Sequence, residues 1–276
     1  MILPGRYNTL KVVKYVDFGV YLDGGEMGEI LLPARYVPDE CEVGKDLEVF
    51  IYLDSEDRII ATTEKPYAQV GEFAMLRVNA VNNVGAFLDW GLMKELLVPF
   101  REQKMDMVAG RSYLVFVYLD PDSKRIAASA KLDKFLDNVI PEYKAGEEVS
   151  ILIESESELG YNAIINHLHK GILYHDELPA PLNKGQQMKA YIKKVREDNK
   201  IDLSLYRPGY EQVDGISQMI LDRMKDAGGF LPFTDKSDAA LIFDHFSISK
   251  KVFKKAIGAL YRQRRILLEE NGIRLI

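Results

Sequence analysis

Gly44-Lys45-Asp46-Leu47-Glu48-Val49-Phe50-Ile51-Tyr52-Leu53-Asp54 returns 66 residues later as Gly110-Arg111-Ser112-Tyr113-Leu114-Val115-Phe116-Val117-Tyr118-Leu119-Asp120. At the same spacing, Phe18-Gly19-Val20-Tyr21-Leu22-Asp23 returns as Val84-Gly85-Ala86-Phe87-Leu88-Asp89. Between these matches, Ile30-Leu31-Leu32-Pro33 lines up with Leu96-Leu97-Val98-Pro99. Separate matches at one spacing mark an internal repeat. A weaker third copy follows in Leu159-Gly160-Tyr161, Gly171-Ile172-Leu173-Tyr174 and Gly185 to Val195.

Each copy reads as short strands. Lys11 to Tyr15, Glu48 to Leu53 and Arg58 to Thr62 are rich in β-branched and aromatic residues and are bounded by Gly, Asp and Pro. Four or five strands without a helical period predict a small closed barrel, because closure removes exposed strand edges. The units are placed at 1–65, 66–140 and 141–207, with a different segment at 212–276.

Arg207-Pro208-Gly209-Tyr210 reads as a linker turn, after which the apolar period becomes helical. Ile216, Met219, Ile220 and Met224 share a face, and Gly228-Gly229 supplies a stop. Ser237 is placed as the cap of a second helix and Ser249 of a third. The third carries Val252, Phe253, Ala256, Ile257, Leu260 and Tyr261 on one side, with Lys251, Lys255 and Arg262 opposite. A terminal hairpin is placed on Asn271-Gly272. Three helices and a hairpin describe a winged helix.

The chain has 276 residues, 47% hydrophobic and 28% charged, which is ordinary globular composition. No stretch has the apolar length of a membrane span, and the first residues lack a signal-peptide pattern. The single cysteine, Cys41, fits a reducing cytoplasm. The net charge of −6 is unevenly spread. Residues 1–65 hold seven basic against thirteen acidic residues, whereas 212–276 hold eleven against eight. Ser247 to Arg265 contains seven basic residues and no acid, a local patch of the kind nucleic-acid binding requires.

Catalytic signatures are missing: there is no Gly-x-Gly-x-x-Gly, Walker loop, His-Glu-x-x-His or Cys-x-x-Cys. His167, His169 and His175 read as polar loop residues rather than metal ligands. The expectation is a non-enzyme with no cofactor, no metal, no membrane partner and no small-molecule substrate. Single-stranded nucleic acid is held by aromatic faces together with cations that follow the phosphates. Phe18 and Tyr21 flank Gly19, with Lys14 and Arg58 as nearby cations. Strict alternation puts the two rings on opposite faces. Both stand outside only if Gly19 marks a bulge; otherwise they fill the barrel.

The Phe-Gly-x-aromatic strand, the Leu-Leu strand and the Asp-x-x-x-Arg turn resemble the ribosomal protein S1 RNA-binding domain, a five-stranded OB-type barrel. Three such units before a winged helix resemble the conserved virulence factor B family of bacterial RNA-binding regulators. The tail is the most specific match: Asp235-Lys236-Ser237, Phe246 to Ala256 with Ile257-Gly258, Leu260-Tyr261 and Asn271-Gly272-Ile273. The implied fold is mainly β with a small α+β tail: three tandem five-stranded OB-type barrels followed by a winged helix-turn-helix domain.

The resemblance puts the RNA-stacking rings of the first unit on Phe18 and Tyr21, its turn pair on Asp54 and Arg58, and its usual histidine on Leu32. In the second unit these positions are Val84 and Phe87, Asp120 and Arg125, and Val98. In the third they are Leu159 and Asn162, with Tyr161 shifted by one, then Arg196 and Lys200, with Tyr174 in place of the histidine. Lys189, Lys193 and Lys194 add charge there. The first and third barrels are therefore expected to bind, one by aromatics and one by charge. The second is expected to be mainly structural, with Trp90 in core or inter-domain packing. On the winged helix, Lys250, Lys251, Lys254, Lys255, Arg262 and Arg265 form the candidate nucleic-acid contact. Glu269 and Glu270 beside the wing turn count against ordinary duplex docking. The implied function is single-stranded RNA binding in post-transcriptional regulation, with DNA a further candidate partner of the winged helix. A DNA-binding transcription factor and a protein-interaction adaptor are the alternatives.

Overall fold

The computed structural model describes residues 2–178, 180–206 and 213–276. In the first repeat, strands β1 (Tyr7–Val16), β2 (Gly19–Asp23), β3 (Glu29–Pro33), β4 (Asp46–Leu53) and β5 (Ile59–Thr62) close into a barrel in the order β1-β2-β3-β5-β4. The neighbours are antiparallel except β3 and β5, whose parallel pairing of Leu31 with Ile60 completes the ring. Alternate residues point inward, so Val12, Val20, Leu22, Ile30, Leu32, Val49, Ile51 and Ala61 fill the interior.

The repeated glycine has a steric cause. Gly19 adopts a φ of +152°, and a Cβ there would lie 2.1 Å from the Leu32 carbonyl oxygen. Gly85 and Gly160 repeat this at 2.3 Å from the Val98 oxygen and 2.0 Å from the Leu173 oxygen. In each copy the second strand crosses the third too closely for any side chain.

The second barrel comprises β6 (Phe73–Val81), β7 (Gly85–Asp89), β8 (Leu96–Pro99), β9 (Ser112–Leu119) and β10 (Ile126–Ser129). The third comprises β11 (Glu148–Glu156), β12 (Gly160–Ile165), β13 (His169–Tyr174), β14 (Gln187–Val195) and β15 (Ile201–Ser204). Both close in the same cyclic order.

The chain divides into two compact units, Met1–Phe135 and Leu136–Ile276. Within the first, β4 is buried on both faces. Val49 and Ile51 point into their own barrel, while Phe50 and Tyr52 point out and join Trp90, Leu88 and Val117 in the core of the second. That double burial explains the unbroken apolar run Val49-Phe50-Ile51-Tyr52-Leu53. On β9 the equivalent Phe116 stacks on Phe135 at 4.2 Å and packs against Phe73 at 4.6 Å.

The second unit joins the third barrel to α1 (Val213–Asp226), β16 (Phe230–Leu231), α2 (Ala239–Phe246), α3 (Lys250–Arg262), β17 (Ile266–Glu269) and β18 (Gly272–Leu275). The strands run β16-β18-β17 beside the helices, the winged-helix arrangement. Gly228 and Gly229, at φ +73° and +92°, end α1, with the Gly229 amide donating to the Met224 carbonyl at 2.6 Å. The Ser249 hydroxyl caps α3 through the Val252 amide. Three expectations shift here. Asp238, not Ser237, caps α2, because Ser237 already accepts the Thr234 amide. The wing turn is Glu270-Asn271, with Gly272 pairing Glu269. Tyr261 is 52% exposed rather than buried, since Phe253, Ala256, Ile257 and Leu260 complete the core face. The linker at Arg207 to Tyr210 lies outside the described residues. Among the described residues no helix is long and apolar enough to cross a membrane.

Candidate nucleic-acid interface

On the first barrel Val16 pairs with Gly19, leaving Asp17 and Phe18 as the hairpin turn. Phe18 is thereby freed from strand alternation and is 56% exposed. Tyr21, on the outer face of β2, meets it edge-on with centroids 6.3 Å apart. The register slip lies in β1, between Val12 and Lys14, and not at Gly19. Lys14 Nζ sits 5.0 Å from the Tyr21 centroid and pairs with Glu29 at 2.6 Å. The candidates Lys14, Phe18 and Tyr21 form one cluster, with Lys14 and Phe18 exposed and Tyr21 half-buried.

Asp54 and Arg58 pair as expected, Nε to Oδ2 at 2.9 Å. Burial works to raise the Asp54 carboxyl, but the Arg58 side chain and the Arg58 and Glu56 amides outweigh it and hold the group below its usual range.

The second barrel departs from expectation. Phe87 is half-buried and Val84 exposed. Asp120 does not pair with Arg125. Its Oδ1 accepts the Asp122 and Ser123 amides, which closes the longer turn, and its Oδ2 accepts Arg101 Nη2 at 2.8 Å. Arg125 reaches instead to Asp57 of the first barrel. Lys94 also crosses, donating to the Asp54 carbonyl at 2.5 Å. Trp90 is buried, its Nε1 donating to the Lys94 carbonyl at 2.6 Å, so it packs between the barrels.

In the third barrel the ladder corrects the alignment by one residue. Gly160 pairs with Tyr174 as Gly19 pairs with Pro33, so Tyr174 holds the proline position and buried Leu173 corresponds to Leu32. Tyr161 is corrected too. It sits where Val20 does and is 4% exposed, with its ring edge-on to His175 at 5.1 Å, so it offers no face for a base. Tyr174 belongs to a network that the sequence reading did not contain. Arg196 binds Asp202 through two nitrogens at 3.1 and 2.6 Å and also donates to the Tyr174 hydroxyl, which donates to Asp202 at 3.1 Å. Burial, then the Asp202 carboxylate, raise the Tyr174 hydroxyl above its usual range, so it keeps its proton at neutral pH.

Tyr174, Arg196 and Lys200 line a cavity of about 640 Å³ with Asn162 and exposed Leu159 and Ile140. Lys189, Lys193 and Lys194 lie elsewhere, the first two paired with Glu148 and Glu177. His169 is buried between the Tyr143 hydroxyl and the Val139 carbonyl. Asp202 was missed because the anchor of Arg196 sits in a strand, not in the turn; the apolar-polar-apolar run Ile201-Asp202-Leu203 is its one signal.

The basic helix divides into sides. Lys251 pairs with Asp176 of the third barrel at 3.2 Å and, with Lys255, lines a cavity of about 610 Å³ between barrel and winged helix. Lys254 lies 3.9 Å from Asp235, and Lys250 donates to the Lys236 carbonyl. Arg262 donates to the Gly258 carbonyl, and neither it nor Arg265 has a carboxylate in ion-pair range among the described residues. On the wing, Glu269 is held by Arg274 at 2.6 Å.

Comparison with known proteins fits this geometry. Residues 4–64 and 70–130 each match the S1 domain, and 218–275 match the CvfB-like winged helix domain. The third barrel lies outside these matches but shares the strand order and the close-crossing glycine. The chain is 27% identical to the uncharacterized protein YitL of Bacillus subtilis (strain 168), over 98% of this chain and 92% of that one. It is 26% identical to conserved virulence factor B of Staphylococcus epidermidis, over 99% and 95%. A crystal structure of a multidomain protein with nucleic acid binding domains from Streptococcus pneumoniae aligns over 99% of this chain and 98% of that one, at 23% identity and a TM-score of 0.41. S1 and winged-helix domains are nucleic-acid-binding modules, and the chain is built from both. With two S1 domains, a winged helix of the CvfB type and relatives of that name along its whole length, the chain belongs to the conserved virulence factor B family.

Proposed function

We propose that this protein binds single-stranded RNA without chemical turnover and acts in post-transcriptional regulation. The observation that carries the reading is the exposed Phe18 ring set against Tyr21, with Lys14 over the second ring. Flat faces accept unpaired bases, whereas a duplex keeps its bases stacked away from such a surface. The third barrel adds a concave site in which Arg196 is fixed by Asp202. The winged helix adds cations, but Lys251 and Lys255 turn toward the barrel, which speaks for a contact shared with that barrel rather than insertion of α3 into a duplex groove. Several small sites on one chain gain affinity by effective concentration.

Titration of the full chain with unstructured RNA and with duplex DNA, at several salt concentrations, tests the proposal. It expects preference for the single strand and a shallow salt slope from few phosphate contacts. Preference for duplex DNA would favour a transcription factor, and binding to neither would favour a protein adaptor.

A further inference from the structure

The second barrel lacks a ring where the first has Phe18, because Val84 stands there. The sheet ladders show the ring on the neighbouring strand. Gly19 pairs with Pro33 and Gly85 with Pro99, so the residue after each proline lies beside the hairpin turn. In the first barrel that residue is Ala34, whose amide donates to the Phe18 carbonyl at 2.9 Å. In the second it is Phe100. Adjacent positions thus hold Phe and Ala in one barrel and Val and Phe in the next. Phe100 is 48% exposed, close to the exposure of Phe18, so the ring does not fill the core.

An isolated exposed apolar residue means little. Phe100 is followed by Arg101, whose side chain is 65% exposed while that of its anchor Asp120 is 8% exposed. The pattern matches the other barrels, where exposed Arg58 is held by Asp54 and Arg196 by Asp202. A positioned guanidinium keeps a fixed geometry toward phosphate. Arg125, which the repeat would place in this role, is engaged with Asp57.

We propose that the second barrel carries its own contact to single-stranded RNA, with Phe100 stacking on a base and Arg101 meeting the adjoining phosphate. The proposal rests on the RNA-binding reading above and replaces the expectation that this barrel is mainly structural.

The test titrates the full chain with an oligouridylate long enough to reach both barrels. It compares the parent with Phe100→Ala, with the exchange Val84→Phe plus Phe100→Ala, and with Phe18→Ala. Phe100→Ala weakens binding about 5- to 150-fold, as loss of one stacked base does. The exchange, which returns the ring to the turn as in the first barrel, restores most of the loss. Ultraviolet crosslinking of the parent places RNA on the peptide containing Phe100. Unchanged affinity for Phe100→Ala beside a weakened Phe18→Ala overturns this proposal alone. A loss that the exchange fails to restore also overturns it, because the ring then serves packing. If the parent binds no RNA, the broader reading falls and this one with it.

Discussion

Trp90 stands edge-on to Phe50, centroids 5.7 Å apart, although the two rings belong to different barrels. Phe50 is the residue that alternation sends out of its own barrel, and Trp90 is where that outward face is buried. The first two repeats therefore share apolar area as one core does, reinforced by Arg125 with Asp57 and Lys94 with the Asp54 carbonyl.

Trp90→Ala should cost about 3–5 kcal/mol, as deletion of a large buried aromatic does. The loss should be felt in both barrels, because the void opens against Phe50 and leaves the Lys94 carbonyl without its indole donor. Denaturant titration with probes in each barrel checks this. Coincident transitions with a lower midpoint are expected, and a melt confined to the second barrel would contradict the shared core.

Phe18→Ala and Tyr21→Ala should each weaken RNA binding by about 1–3 kcal/mol if each ring stacks one base. Neither change should unfold the barrel, since Val20 and Leu22 between them hold the core. Fluorescence anisotropy with unstructured RNA, alongside thermal melts, separates binding from stability. Parent-like affinity in both variants would move the platform elsewhere.

The barrels were legible because inward residues alternate along short strands and the Phe50-type strand, buried twice, repeats at fixed spacing. The winged helix was legible from its helical period and its Gly228-Gly229 stop. Partner choice was not. Arg125 and Asp120 have the sequence spacing of a turn pair, yet the extra turn residue lets backbone amides take one carboxylate oxygen, and Arg125 finds Asp57 across a contact no local pattern encodes. Tyr174 was misaligned by one residue because the third copy has drifted, and only its pairing with Gly160 fixes the register. Ser237 and Asp238 are both cap formers, and the choice between them turns on Thr234.

Asp120 makes the first unit sensitive to acid. The Ser123 amide lowers its carboxyl against the opposing effect of burial, with the Asp122 amide and Arg101 adding to the shift. A carboxyl whose folded pKa is depressed stabilises fully above its unfolded value of about 3.9 and loses that contribution as pH falls through the folded value. Asp120→Asn should therefore be less stable than the parent at neutral pH, and the two should converge in acid, below about pH 4. Midpoints of denaturant unfolding across pH test this, and parallel curves would show that the carboxylate charge contributes nothing.

The cations of α3 should not contribute equally to RNA affinity. Lys251 faces Asp176 at 3.2 Å, so a carboxylate already balances its charge, and an exposed pair of this kind adds about 0–1 kcal/mol to stability. Arg262 and Arg265, at the other end of the helix, have no such neighbour among the described residues. Counterion release depends on the charge presented to phosphate, so each lost contact to a single strand should reduce the salt slope by about 0.7. Replacing Arg262 and Arg265 with Gln should lower the affinity for unstructured RNA whatever its sequence and flatten its dependence on salt. Lys251→Gln should leave that slope near the parental value. Equal slopes in all three proteins would mean that α3 does not meet the phosphates and that its basic face is only solvated.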